Sequence, residues 1–290
     1  MRSSVVMVAQ PVGPLEPSPR APRAARRSRA RSFAQAPLLW RVLLRIDRAL
    51  ILLTGRLRVT GDVPDELRGG PLLLAANHIG NIDALVLMAA CGRRRLALRF
   101  LATGGLFDAP VLGPVLRRCG HLRANRGKAN AAEALDDVVR SLEEDPRPVL
   151  VYPEGRLSLE PGLWPERGKT GVARMALAST APVIPVSQWG AHEAMCYGML
   201  RIEGFRDVRV LLSSWFAAIR RRPVLRVHFG DPVDLSDLSA HRPGDARRAR
   251  DRIMRAITAG LVPLRADEPD VPSHEDPTRP ITDQRSPWRP

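Results

Sequence analysis

The sequence predicts an α/β protein with a mixed, largely parallel sheet flanked by helices, and three observations lead to this prediction. Short apolar runs alternate with segments of helical periodicity through the middle of the chain, as they do when strands and helices follow one another. Hydrophobic residues make up 44% of the 290 residues, which is enough for one substantial buried core. Polar motifs directly follow two of the apolar runs, where sheets of this class carry their functional sites.

The predicted elements begin with an amphipathic helix over 38–53, which has apolar residues at helical spacing and arginines on its remaining face. Such a helix either packs on the core or lies in a bilayer interface, and both interpretations stay open. The later strands are short apolar runs bounded by polar residues or proline, and the later helices carry apolar residues three and four apart. We predict strands at 72–76, 148–152, 182–186 and 225–229, and helices at 83–90, 130–144, 169–179 and 245–261.

Two terminal segments lack any hydrophobic period. Residues 1–35 are rich in proline, alanine, serine and arginine, and residues 265–290 contain prolines at 269, 272, 277, 280, 287 and 290. Both compositions predict disordered tails. The remaining segment, 36–264, is then a single domain that starts with the amphipathic helix, placed within 36–55.

Composition limits the classes of function. The net charge of +15 comes almost entirely from arginine, a bias typical of GC-rich coding, although the charge still attracts anionic surfaces. Aromatic residues make up only 4% of the chain, which argues against a stacking platform for single-stranded nucleic acid. Three widely spaced cysteines without a CxxC pair predict a reducing compartment, with neither a zinc site nor a disulfide framework.

No apolar run approaches the ~20 residues that span a bilayer, and no signal-peptide pattern opens the sequence. We therefore expect a protein of cytosolic origin that meets a membrane from one side, as a peripheral protein on the cytoplasmic face.

The first polar motif reads Asn77-His78-Ile79-Gly80-Asn81-Ile82-Asp83 and follows the strand at 72–76. The loop can fold back so that the Asp83 carboxylate accepts the Nδ1–H of His78, which leaves Nε2 as a base near neutral pH. No serine lies in a GxSxG motif, so the hydroxyl that His78 would deprotonate is expected on a substrate. The alternative is a structural loop histidine followed by an acidic residue at a helix N-terminus.

The second motif, 152–158, follows the strand at 148–152 and places Glu154, Gly155 and Arg156 at its end. Burying such charges is costly unless they bind each other or a ligand, although an ordinary turn is the alternative. Further along, Lys169 opens a helix in a glycine-flanked segment that suits a phosphate or is a solvated turn. Between the two motifs, residues 120–126 include Arg126, a candidate phosphate ligand in a chain where most arginines lie on the surface. His121 is expected to be structural.

In order, these motifs resemble those of the glycerolipid acyltransferase family, specifically the bacterial 1-acyl-glycerol-3-phosphate (PlsC-like) acyltransferases. The four blocks are NHIGNID at 77–83, GHLRANR at 120–126, YPEGRLS at 152–158 and APVIPV at 181–186. Each block is modest alone, and their shared order is what carries the resemblance, over about residues 40–229. Where the third block of the family commonly reads PEGTRS, this chain has Arg156 and Leu157 in place of the threonine and arginine.

The resemblance implies a general base at His78, an orienting carboxylate at Asp83 and substrate-binding residues at Asn77, Arg126, Glu154, Gly155, Arg156 and Lys169. It also implies transfer of an acyl group from acyl-CoA or acyl carrier protein to lysophosphatidic acid, giving phosphatidic acid at an anionic membrane surface. No metal or cofactor is expected beyond these co-substrates.

Three alternatives remain at this point. The acceptor of the acyl group can be another lysophospholipid, a glycolipid or glycerol 3-phosphate, because the third block departs from the common pattern. A catalytically silent membrane-binding relative is disfavoured by the presence of both His78 and Asp83. A nucleic-acid binder is suggested by charge alone, and the arginines are dispersed without a recognisable reading element, so no nucleic-acid partner is expected.

Overall fold

A seven-stranded sheet with helices on both faces organises the chain. The computed structural model describes residue 33 and residues 36–124, 131–196 and 204–290. The strands are β1 (Arg56–Gly61), β2 (Leu73–Ala76), β3 (Arg99–Thr103), β4 (Leu122–Ala124), β5 (Val149–Val151), β6 (Val183–Trp189) and β7 (Val224–Phe229). The helices are α1 (Leu38–Thr54), α2 (Asp83–Arg93), α3 (Gly104–Asp108), α4 (Leu112–Arg118), α5 (Ala131–Glu144), α6 (Gly171–Ser179), α7 (Phe205–Arg221) and α8 (Asp245–Leu264).

The strand order is β1-β7-β6-β2-β5-β3-β4, and the neighbouring strands are parallel except for the antiparallel pair β6 and β7. The predicted mixed, largely parallel sheet is confirmed. In the centre, β2 lies between β5 and β6, with Leu73 opposite both Val149 and Val183. Because these three strands run in the same direction, the loops that follow them meet at one edge of the sheet.

The core is divided by the sheet into two layers, and β2 shows how the sequence produces them. Leu72, Leu74 and Ala76 belong to the cluster that includes α1 and α2, whereas Leu73 and Ala75 belong to the cluster that includes α5, α6 and α8. Successive side chains of a strand point to opposite faces, so a continuous apolar run is expected wherever both faces are covered.

Helix α1 packs one side on the core and exposes apolar residues on its other side; the sequence had left open whether this helix packs on the core or lies in a bilayer interface. Its buried side includes Trp40, Leu44 and Ile51, and the Trp40 indole donates a hydrogen bond to the Leu98 carbonyl at 3.0 Å. The apolar stripe read from the sequence lies largely on the other, solvent-facing side, where Leu38, Leu39, Val42, Ile46, Leu50 and Leu53 are exposed. Among the described residues, no helix combines the length and the apolar character that crossing a bilayer requires.

The C-terminal segment 265–290 packs on the domain, in contrast to the disorder that its composition predicted. Its side chains hydrogen bond to the loop between β5 and α6, for example Ser286 Oγ to the Pro165 carbonyl at 2.6 Å. The Arg265 guanidinium lies 4.1 Å and 4.3 Å from the ring centroids of Trp164 and Trp189. Polar side chains and cation–π contacts hold this segment, and neither leaves a hydrophobic period in the sequence. The basic tail over 1–32 lies outside the described residues.

Candidate active site

The loop after β2 is fixed to the neighbouring strand β6 by Asn77. The Asn77 side chain is fully buried, donates to the Gln188 carbonyl at 3.0 Å and accepts the Gln188 N–H at 2.8 Å. The Gln188 side chain in turn donates to the Asn77 carbonyl at 2.8 Å. This placement favours a positioning role for Asn77 over the substrate-binding role expected from the sequence, because the nitrogen and the oxygen of its side-chain amide are both already bonded to the β6 backbone.

His78 and Asp83 meet as the spacing of the first motif predicted. His78 Nδ1 lies 2.8 Å from Asp83 Oδ2, and the same oxygen accepts the Ile79 N–H at 2.6 Å. Asp83 is fully buried as the first residue of α2, where the helix dipole favours its negative charge. The loop turns tightly at Gly80, whose carbonyl accepts the Asp83 N–H at 3.1 Å, and a Cβ at Gly80 would lie 2.9 Å from the Ala191 carbonyl. The sequence-based expectation of an acid close to the imidazole thus agrees with the geometry.

The His78 ring is oriented for proton transfer with its other nitrogen. The side chain is 22% exposed, and Nε2 has no hydrogen-bond partner within the part of the chain that the structure describes. A neutral imidazole that donates from Nδ1 to a carboxylate has a free lone pair on Nε2. His78 can therefore accept a proton from a hydroxyl group at the carboxyl edge of the sheet.

Tyr152 is a member of the site that the sequence reasoning did not single out. Its ring stacks on the His78 ring, with 3.9 Å between centroids and 12° between planes. Its hydroxyl is buried without a partner among the described residues, and burial raises the pKa of this phenol well above its usual value. The available signal was its position at the end of β5, because β5 and β2 are adjacent parallel strands that end at the same edge.

The buried side chain of Glu154 joins the loop that follows β2 to the loop that follows β5. Its Oε1 accepts the His78 N–H and its Oε2 accepts the Glu166 N–H, both at 2.9 Å. Burial raises the pKa of Glu154 to about 8, although the two backbone N–H groups oppose that shift. A second link runs from the Ser158 N–H to the His78 carbonyl at 2.7 Å. Glu154 was expected to bind substrate, and its contacts indicate that it holds the loop bearing His78.

Two of the predicted binding residues, Arg156 and Lys169, carry exposed positive charge in the segment between β5 and α6. Arg156 forms an ion pair with Glu166 Oε2 at 2.9 Å and Lys169 is exposed. Gly155 has a φ of +71°, and a Cβ there would lie 3.3 Å from the Lys169 ammonium nitrogen. The positive φ favours glycine at this position, and the absence of a Cβ leaves room for the lysine to approach the loop closely.

The remaining predicted residues divide between structure and the undescribed part of the chain. Arg126 lies outside the described residues. His121 is buried, accepts the Phe100 N–H at 2.9 Å and packs edge-on against Trp40. Burial, with Arg147 and Arg99 nearby, lowers the pKa of His121 to about 4, so it is neutral at pH 7, consistent with the structural role expected.

The α/β sheet thus carries a histidine–carboxylate pair on an HxxxxD loop, and a second loop with a buried glutamate is attached to it. Residues 56–189 match the family model described as Acyltransferase. This match and the relatives described next make the chain similar to the PlsC-like glycerolipid acyltransferases, in agreement with the resemblance of its four blocks.

Individual relatives show how much of the chain is similar to known proteins. An uncharacterized protein of Mycobacterium tuberculosis is 32% identical over 240 residues, which cover 74% of this chain and 63% of that protein. The 1-acyl-sn-glycerol-3-phosphate acyltransferase of Limnanthes alba is 28% identical over 212 residues, 70% of this chain and 66% of that one. The chain thus spans somewhat less than two thirds of the length of these curated relatives.

The fold has a counterpart of known structure. The crystal structure of the 1-acyl-sn-glycerophosphate (LPA) acyltransferase PlsC from Thermotoga maritima superposes with a TM-score of 0.53 at 17% identity. The superposition covers 84% of this chain and 89% of that one. This likeness supports the fold, with its mostly parallel sheet between helices.

Proposed function

We propose that the protein transfers a fatty acyl group from acyl-CoA or acyl carrier protein to the free hydroxyl of lysophosphatidic acid, giving phosphatidic acid. The observation that carries the proposal is the His78 imidazole, which is braced by Asp83 at 2.8 Å and partly exposed. The exposed Arg156 and Lys169 belong to the segment between β5 and α6, which Glu154 and Ser158 attach to the His78 loop. A base open to an acceptor hydroxyl, next to cations suited to an anionic headgroup, matches what this reaction needs.

The proposed reaction has two steps. His78 Nε2 takes the proton of the acceptor hydroxyl while the oxygen attacks the thioester carbonyl, and the Asp83 carboxylate stabilises the imidazolium that forms. The tetrahedral intermediate then collapses with cleavage of the carbon–sulfur bond, and the imidazolium returns its proton to the leaving thiolate. The products are the new ester and a free thiol, and general-base help of this kind contributes about 10²–10⁴-fold.

The pairing of Arg156 with Glu166 bears on which acceptor headgroup the site takes. The guanidinium of Arg156 is already paired with Glu166, so a phosphate headgroup must displace or share that carboxylate. Because Arg156 is 54% exposed, the pair is weak and such exchange is easy. The alternative acceptors are another lysophospholipid, a glycolipid or glycerol 3-phosphate, and they differ from lysophosphatidic acid in how far their binding depends on this exchange.

We also propose that the protein acts on an anionic bilayer, as a peripheral protein on the cytoplasmic face of the cell membrane. The exposed apolar side of α1 lies beside a second helix, α7, whose Trp215 indole donates to Thr54 Oγ1 at 2.7 Å. Helix α7 itself exposes Phe205, Val210, Leu212 and Phe216 and carries four arginines. Two adjoining helices with apolar and basic surface suit the interface of a bilayer with anionic lipids.

The test of the proposed reaction is release of free thiol from an acyl thioester, measured with a panel of acceptors. The panel contains lysophosphatidic acid, other lysophospholipids, a glycolipid and glycerol 3-phosphate, each with acyl-CoA or acyl carrier protein as donor. We expect turnover with lysophosphatidic acid and loss of that turnover in His78→Ala. Turnover that is unchanged in His78→Ala contradicts the mechanism, and turnover with a different acceptor alone reassigns the substrate.

A further inference from the structure

The C-terminal segment 265–290 runs along the loop that carries Glu154, in the same order as that loop. Arg279 Nη1 donates to the Ser158 carbonyl at 2.9 Å, and the Thr282 N–H donates to the Leu159 carbonyl at 2.9 Å. Further on, Ser286 bonds to the Pro165 carbonyl, and the Trp288 indole donates to the Glu166 carbonyl at 3.0 Å. Four successive contacts thus attach this segment to the loop between β5 and α6.

Arg279 also reaches the loop that carries His78. Its Nη2 donates to the carbonyl of Ile79, the residue directly after His78. One guanidinium therefore bridges the two site loops, and the two carbonyls lie close to the hydrogen bond from the Ser158 N–H to the His78 carbonyl at 2.7 Å. A planar guanidinium with donors in a fixed fork suits such a bridge better than an ammonium group does.

We propose that Arg279 is a positioning residue that holds the His78 loop against the Glu154 loop. The C-terminal segment then contributes to the active site by placing Arg279 between the two loops. The proposal rests on the acyl-transfer function proposed above. Glu154 ties the two loops together from inside, through the His78 N–H, and Arg279 does so from outside, through the Ile79 carbonyl. Loss of Arg279 leaves two backbone carbonyls without these charged donors and lets His78 move relative to the substrate.

The expected effect follows from how sensitive catalysis is to position. A displacement of about 1 Å at a reacting group can cost about 10²-fold in rate. For Arg279→Ala we expect kcat to fall roughly 10- to 100-fold while KM for acceptor and donor stays within about threefold. Arg279→Lys should recover part of the loss, because an ammonium group can reach one of the two carbonyls.

The matched control is Arg285→Ala. Arg285 lies in the same segment, is exposed, and has no hydrogen bond or ion pair within the described part of the chain. Its removal changes net charge as Arg279→Ala does but leaves the bridge intact, so we expect kcat within about twofold of the unchanged protein. Added guanidinium ion, at concentrations that do not unfold the protein, should raise the kcat of Arg279→Ala and leave Arg285→Ala unaffected.

A measurement that does not depend on turnover separates this proposal from the proposed reaction. Hydrogen exchange of the full-length protein should speed up in residues 78–83 and 156–166 in Arg279→Ala, and stay unchanged in Arg285→Ala. An unchanged kcat with unchanged exchange overturns the positioning role. A rise in KM for the acceptor with kcat preserved also overturns it, because Arg279 would then bind substrate. Absence of turnover in the unaltered protein, with faster exchange in the variant, defeats only the proposed reaction.

Discussion

Replacing Asp83 by asparagine separates the charge of the carboxylate from its hydrogen bonds. Asp83 Oδ2 accepts both the His78 Nδ1–H and the Ile79 N–H, whereas Oδ1 is buried without a partner among the described residues. The asparagine carbonyl can therefore occupy the place of Oδ2 and keep both hydrogen bonds, with the amide group in the place of Oδ1. The imidazole tautomer is retained, and the variant loses the negative charge that stabilises the imidazolium.

The size of that loss follows from the separation of the two groups. Two unit charges at ~4 Å interact by about 4 kcal/mol when the effective dielectric constant is ~20. The His78 side chain is 22% exposed, so solvent screens part of the interaction. We expect about 3 kcal/mol less stabilisation of the transition state, which lowers kcat on the order of 10²-fold. Asp83→Ala removes the hydrogen bonds as well and should approach the activity of His78→Ala.

The assay is thiol release under saturating acyl-CoA and acceptor, with thermal unfolding as the check that each variant is folded. The double variant His78→Ala/Asp83→Asn should be no slower than His78→Ala alone, because Asp83 acts through the imidazole. The reasoning fails if Asp83→Asn keeps more than about a third of the kcat. It also fails if Asp83→Asn is as inactive as Asp83→Ala, since the tautomer would then have been lost.

Three further predictions concern stability and membrane binding. Because the pKa of Glu154 is raised to about 8, its contribution to the free energy of unfolding is complete below about pH 4.5 and is lost as the pH rises through 8. Urea unfolding should therefore show the stability advantage of the unaltered protein over Glu154→Gln shrinking from pH 5 to pH 9, and a constant difference contradicts this. Tyr152→Phe removes a buried hydroxyl without a partner, so it should raise the free energy of unfolding by about 1 kcal/mol and preserve kcat; a clear loss of kcat would assign that hydroxyl a role. Phe216→Asp, at a side chain 54% exposed on α7, should weaken binding to anionic liposomes at least tenfold relative to Val271→Asp, which lies outside both helices; equal binding by the two variants would exclude α7 from the membrane surface.

The sequence alone determined the fold class, the main strands and the pairing of His78 with Asp83. These features are local: an apolar run predicts a buried strand, and a five-residue spacing across a tight turn at Gly80 brings the imidazole to the carboxylate. The sequence also showed that both motifs directly follow strands, and because those strands are parallel neighbours the two loops lie at one edge of the sheet.

Only the tertiary structure decided which motif residues face a substrate and which hold the loops. Asn77 and Glu154 carry polar groups of the kind that bind ligands, yet the backbone of β6 and of the site loops already satisfies them. Only the tertiary structure, likewise, showed where the C-terminal segment packs: its Arg279 donates to the carbonyl of Ile79, which is 200 residues away in the sequence. Contacts of that range, made by charged side chains to backbone carbonyls, leave no periodicity in the sequence, because the partner is a peptide group that every residue has.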